Sequence, residues 1–339
     1  MNLKKLSSIL ADQPKYRFKQ VEHFLFQDYI SSWDEASSLP KALREELKLA
    51  CPLEIDAQVL DSGGHSGSRK ALITLEDGET VETVLISQRG KDKEPRHTVC
   101  VSSQVGCPLN CAFCATGDSG FKRNLSSEEI VEQLIFWQRI LKAQGKEEKV
   151  DNVVFMGMGE PFLNYQEFIK AVKFINDPET MNIGARRLSV STAGVIEGIK
   201  RLAGEKLQVN LAISLHATND VVRRRLMPIA EKHTLAELFK TVDAYIRKTG
   251  RRVMFEYLMI KGVNDSENDA EILAGLMNKP LYLLNLIPYN ETGRFQASSR
   301  ETIEDFRKAL ERKGIPVTVR LSFGSDISAA CGQLRRRNV

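Results

Sequence analysis

Hydrophobic positions near the start of the chain follow two different spacings. Apolar side chains first recur at helical intervals, with interruptions at Pro14 and Pro40. Across 59–86 apolar and polar positions alternate instead, around the turn residues Glu76-Asp-Gly78, which is typical of a β-hairpin. Residues 1–95 are therefore predicted to form a small accessory domain of helices followed by a hairpin, ending in a charged connector.

From Thr98 onward the chain alternates short β-branched runs with helical stretches, which is typical of βα units around a parallel sheet. Strands are predicted near 98–102, 152–156, 187–191, 209–214, 253–260, 282–287 and 317–321. Helices are predicted near 126–144, 165–176, 195–203, 234–249, 266–278 and 300–313. Six repeats are too few for a closed eightfold barrel. The predicted fold class is α/β, with a partial (β/α)6 TIM-like barrel over residues 96–339.

Length and composition narrow the class of protein. The 339 residues suffice for a barrel-sized domain with a small accessory module. The N-terminus has no apolar signal core, and the chain has no run of eighteen apolar residues, so we expect a cytoplasmic protein with no membrane partner. Its six cysteines are then expected to be ligands, catalysts or core residues rather than stable disulfides.

The net charge of +4 permits nucleic-acid binding without demonstrating it. Basic residues nevertheless gather in clusters. They are 186–187, 223–225, 251–252, 335–337 and the group Lys15, Arg17 and Lys19. One such cluster is more typical of a solvated helix or strand end, but several together favour a surface that contacts phosphate groups.

Three cysteines in one short loop, Cys107, Cys111 and Cys114, are the most informative motif. Three thiolates can hold three irons of a 4Fe-4S cluster, which normally has four such ligands. The fourth iron would be open to S-adenosylmethionine (SAM), which can chelate it through its amino and carboxylate groups. A structural zinc site is the alternative, but it would need four ligands in two spaced pairs. The nearest other cysteine, Cys100, lies in an apolar run that predicts a strand.

Polar residues and glycines follow five of the predicted strands, where the functional face of a βα barrel lies. Those that could contact a ligand are Gly159, Glu160, Ser191, Ser214, His216 and Asn290. For Ser191 and Asn290 the alternative is a helix-capping role. For His216 the alternative is a histidine whose hydrogen bonds are satisfied by backbone. Its position at the predicted mouth favours a ligand contact.

The C-terminal segment from Gly324 to Leu334 contains Cys331 among small residues. A lone cysteine of this kind is either an inert buried thiol or an exposed nucleophile on a flexible turn. The residues alone leave both possibilities open.

These motifs closely resemble the RlmN/Cfr radical SAM RNA methyltransferases, which methylate adenosine in large-subunit ribosomal RNA. The resemblance extends over nearly the whole chain. The segments that carry it are Val81-Glu-Thr-Val84, 99–104, the cysteine loop through Leu125, 155–161, Ser214-Leu-His216, 285–290 and 326–334.

The resemblance implies a role for each site residue. The three loop cysteines would hold one 4Fe-4S cluster. The SAM site would be lined by Gly159, Glu160, Ser191, Ser214, Leu215, His216 and Asn290. Cys331 would carry the methyl group, Glu82 would accept a proton, and Cys100 would form a transient disulfide with Cys331.

The implied reaction consumes two SAM molecules, because C2 of adenine cannot attack a sulfonium methyl group directly. One SAM methylates the Cys331 thiolate. The second, chelated to the open iron, is cleaved to a radical that removes hydrogen from the S-methyl group. The resulting methylene radical adds to adenine, Glu82 takes the ring proton, and Cys100 attacks the Cys331 sulfur to release product.

The segment Gly159-Glu160-Pro161 resembles the C2-methylating branch of the family, whereas Asp118 and Phe323-Gly324 resemble the C8-methylating branch that confers ribosome-antibiotic resistance. We favour C2. The implied partners are 23S rRNA, a transfer RNA with an adenosine next to the anticodon, and a flavodoxin- or ferredoxin-type electron donor, with the enzyme a monomer.

Two other classes compete with this interpretation. A non-catalytic RNA-binding protein with a structural cluster would need neither Cys331 nor Glu82. A radical SAM enzyme that acts on a small molecule is disfavoured by the basic helical module at the N-terminus.

Overall fold

The computed structural model describes residues 3–62, 67–88, 95–145, 148–320 and 323–335, with side chains from Lys5 onward. Most of the predicted charged connector and of the basic cluster 335–337 lies outside these ranges.

Three helices form the predicted N-terminal module, and they are α1 Leu3–Leu10, α2 Lys15–Phe26 and α3 Lys41–Ala50. Pro14 and Pro40 stand at the N-caps of α2 and α3, because proline lacks the N–H that an interior helical position would need. The buried Trp33 ties the module together by donating from Nε1 to the carbonyl of Cys51 at 2.8 Å.

Antiparallel pairing then joins four strands, β1 Ala57–Asp61, β2 Ser68–Thr74, β3 Thr80–Gln88 and β4 Arg96–Cys100. Strands β2 and β3 form the predicted hairpin. All four belong to one ten-stranded sheet that continues past residue 95. The division into domains 1–95 and 96–339 stays a prediction.

A short second sheet carries the cysteine loop. It pairs β5 Gln104–Gly106 with β6 Phe121–Asn124, and helix α4 Ala115–Asp118 lies between them. The hydrophobic pattern did not predict this hairpin, because its strands are too short to show an alternation.

Strand β4 begins a parallel series that continues in chain order through six further strands. They are β7 Val150–Phe155, β8 Leu188–Thr192, β9 Asn210–Ser214, β10 Val253–Met259, β11 Tyr282–Pro288 and β12 Val317–Val319. The helices between them are α5 Ser127–Gln144, α6 Tyr165–Asn176, α7 Ile196–Leu202, α8 Asp220–Leu226, α9 Leu235–Thr249, α10 Glu267–Met277 and α11 Arg300–Arg312. Strands β1 and β12 are the two edges of the sheet, so the barrel is open. The predicted α/β partial barrel is confirmed.

Local sequence explains where the longer helices begin. Capping boxes start α5 at Ser126, α9 at Thr234 and α10 at Ser266, because each side chain accepts a free N–H of the first turn. Helix α8 was not predicted, since its seven residues include three consecutive arginines and show no clear apolar period. Within the described residues no helix is both long and apolar enough to cross a membrane.

Candidate functional site

One cavity opens at the carboxyl ends of the parallel strands and gathers most of the predicted site residues. Those in its lining are Cys100, Cys107, Cys111, Cys114, Gly159, Glu160, Ser191, Ser214, His216 and Cys331. Three predicted residues, Glu82, Leu215 and Asn290, are outside the lining. Leu215 is fully buried, and its N–H donates to the carbonyl of Glu256 at 3.0 Å.

The cysteine loop owes its shape to a tight turn at Gly106. This residue has φ +77°, and a Cβ there would lie 1.7 Å from the carbonyl oxygen of Gly120. No other residue fits without moving the backbone. The Cys107 N–H donates to the same carbonyl at 3.0 Å, and the Cys114 N–H donates to the carbonyl of Cys111 at 3.0 Å. The turn therefore fixes how the three thiols enter the cavity.

The three thiols of this loop suit a positively charged metal centre that prefers sulfur ligands. Burial raises the pKa of Cys107 to about 12 and also raises the pKa values of Cys111 and Cys114. At Cys111 the charges of the other two thiols raise it further. Burial and mutual repulsion therefore oppose ionisation of all three thiols together, and a bound iron–sulfur cluster would supply the compensating positive charge.

No group of three or more His, Cys, Asp or Glu side chains that could hold a metal ion occurs in the described part of the chain. A cubane cluster does not require one, because each thiolate binds a different iron. Three thiols in one loop match the ligands of such a cluster, whereas a structural zinc site takes four ligands on one ion.

Glu160 lies beside the cysteine loop, and its buried carboxyl group is held by backbone N–H groups. Its two oxygens accept the N–H groups of Phe162 at 3.0 Å and Ala193 at 2.7 Å. Burial raises the pKa of Glu160 to about 7, although these N–H donors lower it. The preceding Gly159, at φ +98°, packs so closely on Gln104 that a Cβ would lie 2.6 Å from its side chain. The loop can therefore place backbone and a carboxyl group directly against a ligand.

His216 is a neutral ring at the cavity wall. Its Nδ1 accepts the N–H of Leu258 at 3.1 Å, so the ring proton is on Nε2. Burial, reinforced by the charge of Arg223, lowers the pKa of His216 to about 3. The ring of Phe113, from the cysteine loop, packs edge-on against it at 4.9 Å between centroids. The hydrogen bond to backbone agrees with the alternative that His216 is satisfied by backbone. The ring also lines the cavity, as the ligand-contact prediction requires.

Neither Ser191 nor Asn290 caps a helix. The N-caps of the helices that follow them are Val195 and Ser299. Ser191 lines the cavity, and the Asn290 side chain donates to the carbonyl of Cys331 at 3.1 Å. The capping alternative is wrong for both residues.

The basic cluster 223–225 is only partly a surface feature. Arg223 is fully buried, and its guanidinium donates to the carbonyls of Ala193 at 2.8 Å and His233 at 3.3 Å. The expectation that this residue contacts phosphate is wrong, since a run of arginines in the sequence does not reveal which one faces inward. Arg223 instead fixes the strand end beside the cavity.

The segment with Cys331 crosses the cavity mouth and is attached on two sides. The carbonyls of Gly332 and Leu334 accept the Ala115 N–H at 2.7 Å and the Thr116 hydroxyl at 2.6 Å. On the other side the Lys70 side chain donates to the carbonyl of Ser328 at 3.0 Å. Cys331 itself is exposed. It is therefore not the inert buried thiol that the sequence left possible.

Cys100, at the end of β4, faces the same cavity as Cys331. Both thiols are free. Burial raises the pKa of Cys100 to about 12, and the charge of Cys331 contributes to the rise. The two sulfurs therefore lie within electrostatic reach of one another.

Glu82 lies in the interior of β3 with 1% of its side chain exposed. It forms an ion pair with the equally buried Lys70 at 3.0 Å. Its second oxygen accepts the N–H of Arg335 at 2.9 Å. The carboxylate thus anchors the end of the Cys331 segment and lies behind it rather than in the cavity lining.

Two charged residues of the lining were not predicted from the sequence, Glu256 of β10 and Arg320 after β12. Glu256 is buried and lies within an apolar run, so the pattern predicts only a strand. Arg320 could have been found by its place at a strand end, the same rule that identified the other residues.

The comparisons with known proteins agree with this fold. A model of the Radical SAM superfamily matches residues 101–272. The probable dual-specificity RNA methyltransferase RlmN of Syntrophomonas wolfei is 45% identical over 329 residues, covering 96% of this chain and 92% of the relative. The ribosomal RNA large subunit methyltransferase N of Nitrosopumilus maritimus is 42% identical, with 95% and 92% covered. A crystal structure of a radical SAM methyltransferase from Sphaerobacter thermophilus is 42% identical with a TM-score of 0.90, covering 98% and 97%.

The open parallel barrel with its three-cysteine loop is that of a radical SAM protein. More narrowly, the chain belongs to the RlmN family of radical SAM RNA methyltransferases. Membership implies a 4Fe-4S cluster and SAM as its cofactors.

Proposed function

We propose that this protein methylates C2 of a specific adenosine in 23S rRNA, and of the adenosine next to the anticodon in a transfer RNA, through a methyl group carried on Cys331. One observation supports the carrier role above the others: an exposed thiol on a segment attached to the cysteine loop faces the same cavity as the loop thiols. A carrier must reach both a methyl donor and a substrate, and this position allows both.

Each cavity residue has a proposed role that follows from the chemistry of its side chain. Cys107, Cys111 and Cys114 would hold the cluster, which together with SAM would supply a radical that removes a hydrogen atom from the S-methyl group. Glu160, with Gly159 before it, offers a carboxyl group and close backbone to the SAM amino group and ribose. Ser191, Ser214 and His216 would add hydrogen bonds, His216 as a donor from Nε2. Leu215 and Asn290 lie outside the cavity lining and would act indirectly. Asn290 would do so by holding the Cys331 carbonyl.

Product release is proposed to use Cys100. Its thiolate would attack the Cys331 sulfur, forming a disulfide and breaking the bond from that sulfur to the methylene carbon. The carbon would leave with the RNA, keep the electron pair of the broken bond and take up a proton to become the methyl group. Glu82 is the proposed acceptor of the ring proton. Because Glu82 lies behind the Cys331 segment, it would act once that segment moves or through groups that connect it to the cavity.

The proposed partners are the two RNA substrates and a flavodoxin- or ferredoxin-type electron donor, with the enzyme acting as a cytoplasmic monomer on two SAM molecules per turnover. The experiment that tests this function is mass-spectrometric mapping of methylated adenosine in RNA from cells with and without the gene. We expect 2-methyladenosine in 23S rRNA and transfer RNA only when the gene is present. Detection of 8-methyladenosine would instead favour the resistance branch, and no gene-dependent methyladenosine would overturn the proposal.

The Cys100→Ala variant is expected to trap a covalent adduct between protein and RNA. It can still form the bond to adenine, but no thiolate remains to release the product. The purified variant should show excess absorbance near 260 nm and a nuclease-sensitive mass. A double variant that also carries Cys331→Ala should show neither.

A purely structural role for Cys100 predicts a different result. If Cys100 is only a small hydrophobic core residue, its replacement would lower the stability of the protein somewhat and have no other effect. A Cys100→Ala variant that is free of RNA and fully active would remove Cys100 from the mechanism.

A further inference from the structure

The Lys70 side chain lies deep inside the protein, behind the Cys331 segment (residues 324–335). Lys70 and Glu82 each expose only 1% of their side chains, and Nζ of Lys70 lies 3.0 Å from Oε1 of Glu82. Replacing a buried ion pair of this kind with packed apolar side chains often leaves stability unchanged or raises it. Net stability alone therefore does not account for the presence of this pair.

The strand register places the pair on the face of the sheet that also borders the cavity. Lys70 of β2 pairs with Val84 of β3, two residues from Glu82, so Lys70 and Glu82 are diagonal neighbours on one face. Cys100 of β4 pairs with the same Val84 and shares that face. Cys100 lines the cavity. The ion pair therefore lies on the cavity side of the sheet.

Both charges of the pair hold backbone groups of the Cys331 segment. Nζ of Lys70 donates to the carbonyl of Ser328 at 3.0 Å. Oε2 of Glu82 accepts the N–H of Arg335 at 2.9 Å. One ion pair thus fastens the segment at two points, one before Cys331 and one after it.

The opposite side of the Cys331 segment is held by other groups. The carbonyl of Gly332 accepts the Ala115 N–H at 2.7 Å, and the carbonyl of Leu334 accepts the Thr116 hydroxyl at 2.6 Å. These contacts join the segment to the cysteine loop and do not involve the ion pair. The hairpin side of the segment can therefore open while the cysteine-loop side keeps Cys331 at the cavity.

We propose that the Lys70–Glu82 pair is a latch on the hairpin side of the Cys331 segment, with Lys70 as its positioning residue. The proposal rests on the proposed function, in which Glu82 is the acceptor of the ring proton. While the latch is closed, Glu82 lies behind the segment and does not reach a substrate in the cavity. Opening the latch exposes this carboxylate to the cavity, so the proton acceptor becomes available when the segment moves.

Carboxyl labelling of the cluster-loaded protein tests the latch, with mass spectrometry of the peptide that contains Glu82 as the readout. Wild-type protein should react slowly with a carbodiimide and glycine ethyl ester at Glu82, because this carboxylate is buried. Lys70→Met keeps the length of the side chain but removes its charge and its bond to Ser328. We expect labelling of Glu82 and hydrogen exchange of the amides in 325–335 to become about tenfold faster.

Lys279→Met is the matched control. Lys279 also forms an ion pair, with Asp243 at 2.7 Å, but it lies outside the contacts of the Cys331 segment. This variant should leave both rates unchanged.

The double variant with Lys70→Met and Glu82→Gln distinguishes a latch from a purely stabilising pair. It leaves no unpaired buried charge from this pair, so its melting temperature should return close to the wild-type value. Exchange of the amides in 325–335 should still be about tenfold faster, because the Ser328 carbonyl has lost its donor. This measurement stands even if the single Lys70→Met variant folds poorly.

Three results would overturn the inference. They are wild-type exchange of 325–335 in the double variant, wild-type labelling of Glu82 in folded Lys70→Met, or faster exchange throughout the chain in proportion to lost stability. The last result would make the pair a general stabilising contact. The assays use no SAM, RNA or turnover, so their outcome is separate from that of the methyladenosine mapping, which tests the proposed function itself.

Discussion

Replacing Cys331 with alanine is expected to stop RNA methylation almost completely. The change removes the sulfur that accepts the methyl group, and losing such a nucleophile lowers the rate on the order of 10⁴-fold or more. The cluster should be retained, because Cys331 lies outside the loop of its three ligands. Methyl incorporation from radiolabelled SAM and iron analysis of the same preparation measure the two properties together.

Cys51 provides the matched control for this variant. It is another cysteine, buried in the N-terminal module and outside the cavity lining. Cys51→Ala should reduce stability somewhat and leave methylation near the wild-type level. If Cys331→Ala methylates adenosine at a normal rate, Cys331 is not the carrier.

Replacing any one of Cys107, Cys111 and Cys114 with alanine should have an equally large effect with a different signature. Each variant loses one thiolate ligand, so the iron content should fall from about four per chain and the charge-transfer absorbance should disappear. SAM cleavage should then be lost together with methylation. Iron and sulfide analysis after anaerobic reconstitution measures this.

The two sets of variants separate the roles of the cysteines. Cys331→Ala should keep the absorbance and lose methylation, whereas each loop variant should lose both. Stoichiometric zinc in the wild-type protein, without charge-transfer absorbance, would contradict the cluster assignment and restore the structural-site alternative.

The parallel barrel could be predicted because its elements carry strong local signals. The strands are buried, rich in β-branched residues, and alternate with helices along the chain. Capping residues such as Ser126 and Thr234 begin the helices. Helix α8 and the β5–β6 hairpin were not predicted, because α8 contains three consecutive arginines and the strands of the hairpin have only three and four residues.

The site was largely predictable because parallel strands end at one edge of a sheet, so residues after several strands converge. The contacts that the sequence did not predict depend on tertiary structure. Nothing in the sequence indicates that Lys70 and Glu82 form a buried ion pair behind the Cys331 segment. Similarly, Arg223 belongs to a basic run like several others, and only packing shows that it is buried.

A pulse–chase experiment on the reconstituted enzyme tests the carrier claim most directly. The protein is first methylated with isotopically labelled SAM, freed of it, and then given RNA, reductant and unlabelled SAM. We predict that label leaves the Cys331 peptide and appears in the methyl group of adenosine during the first turnover. Label that stays on the protein while the new methyladenosine is unlabelled would contradict it.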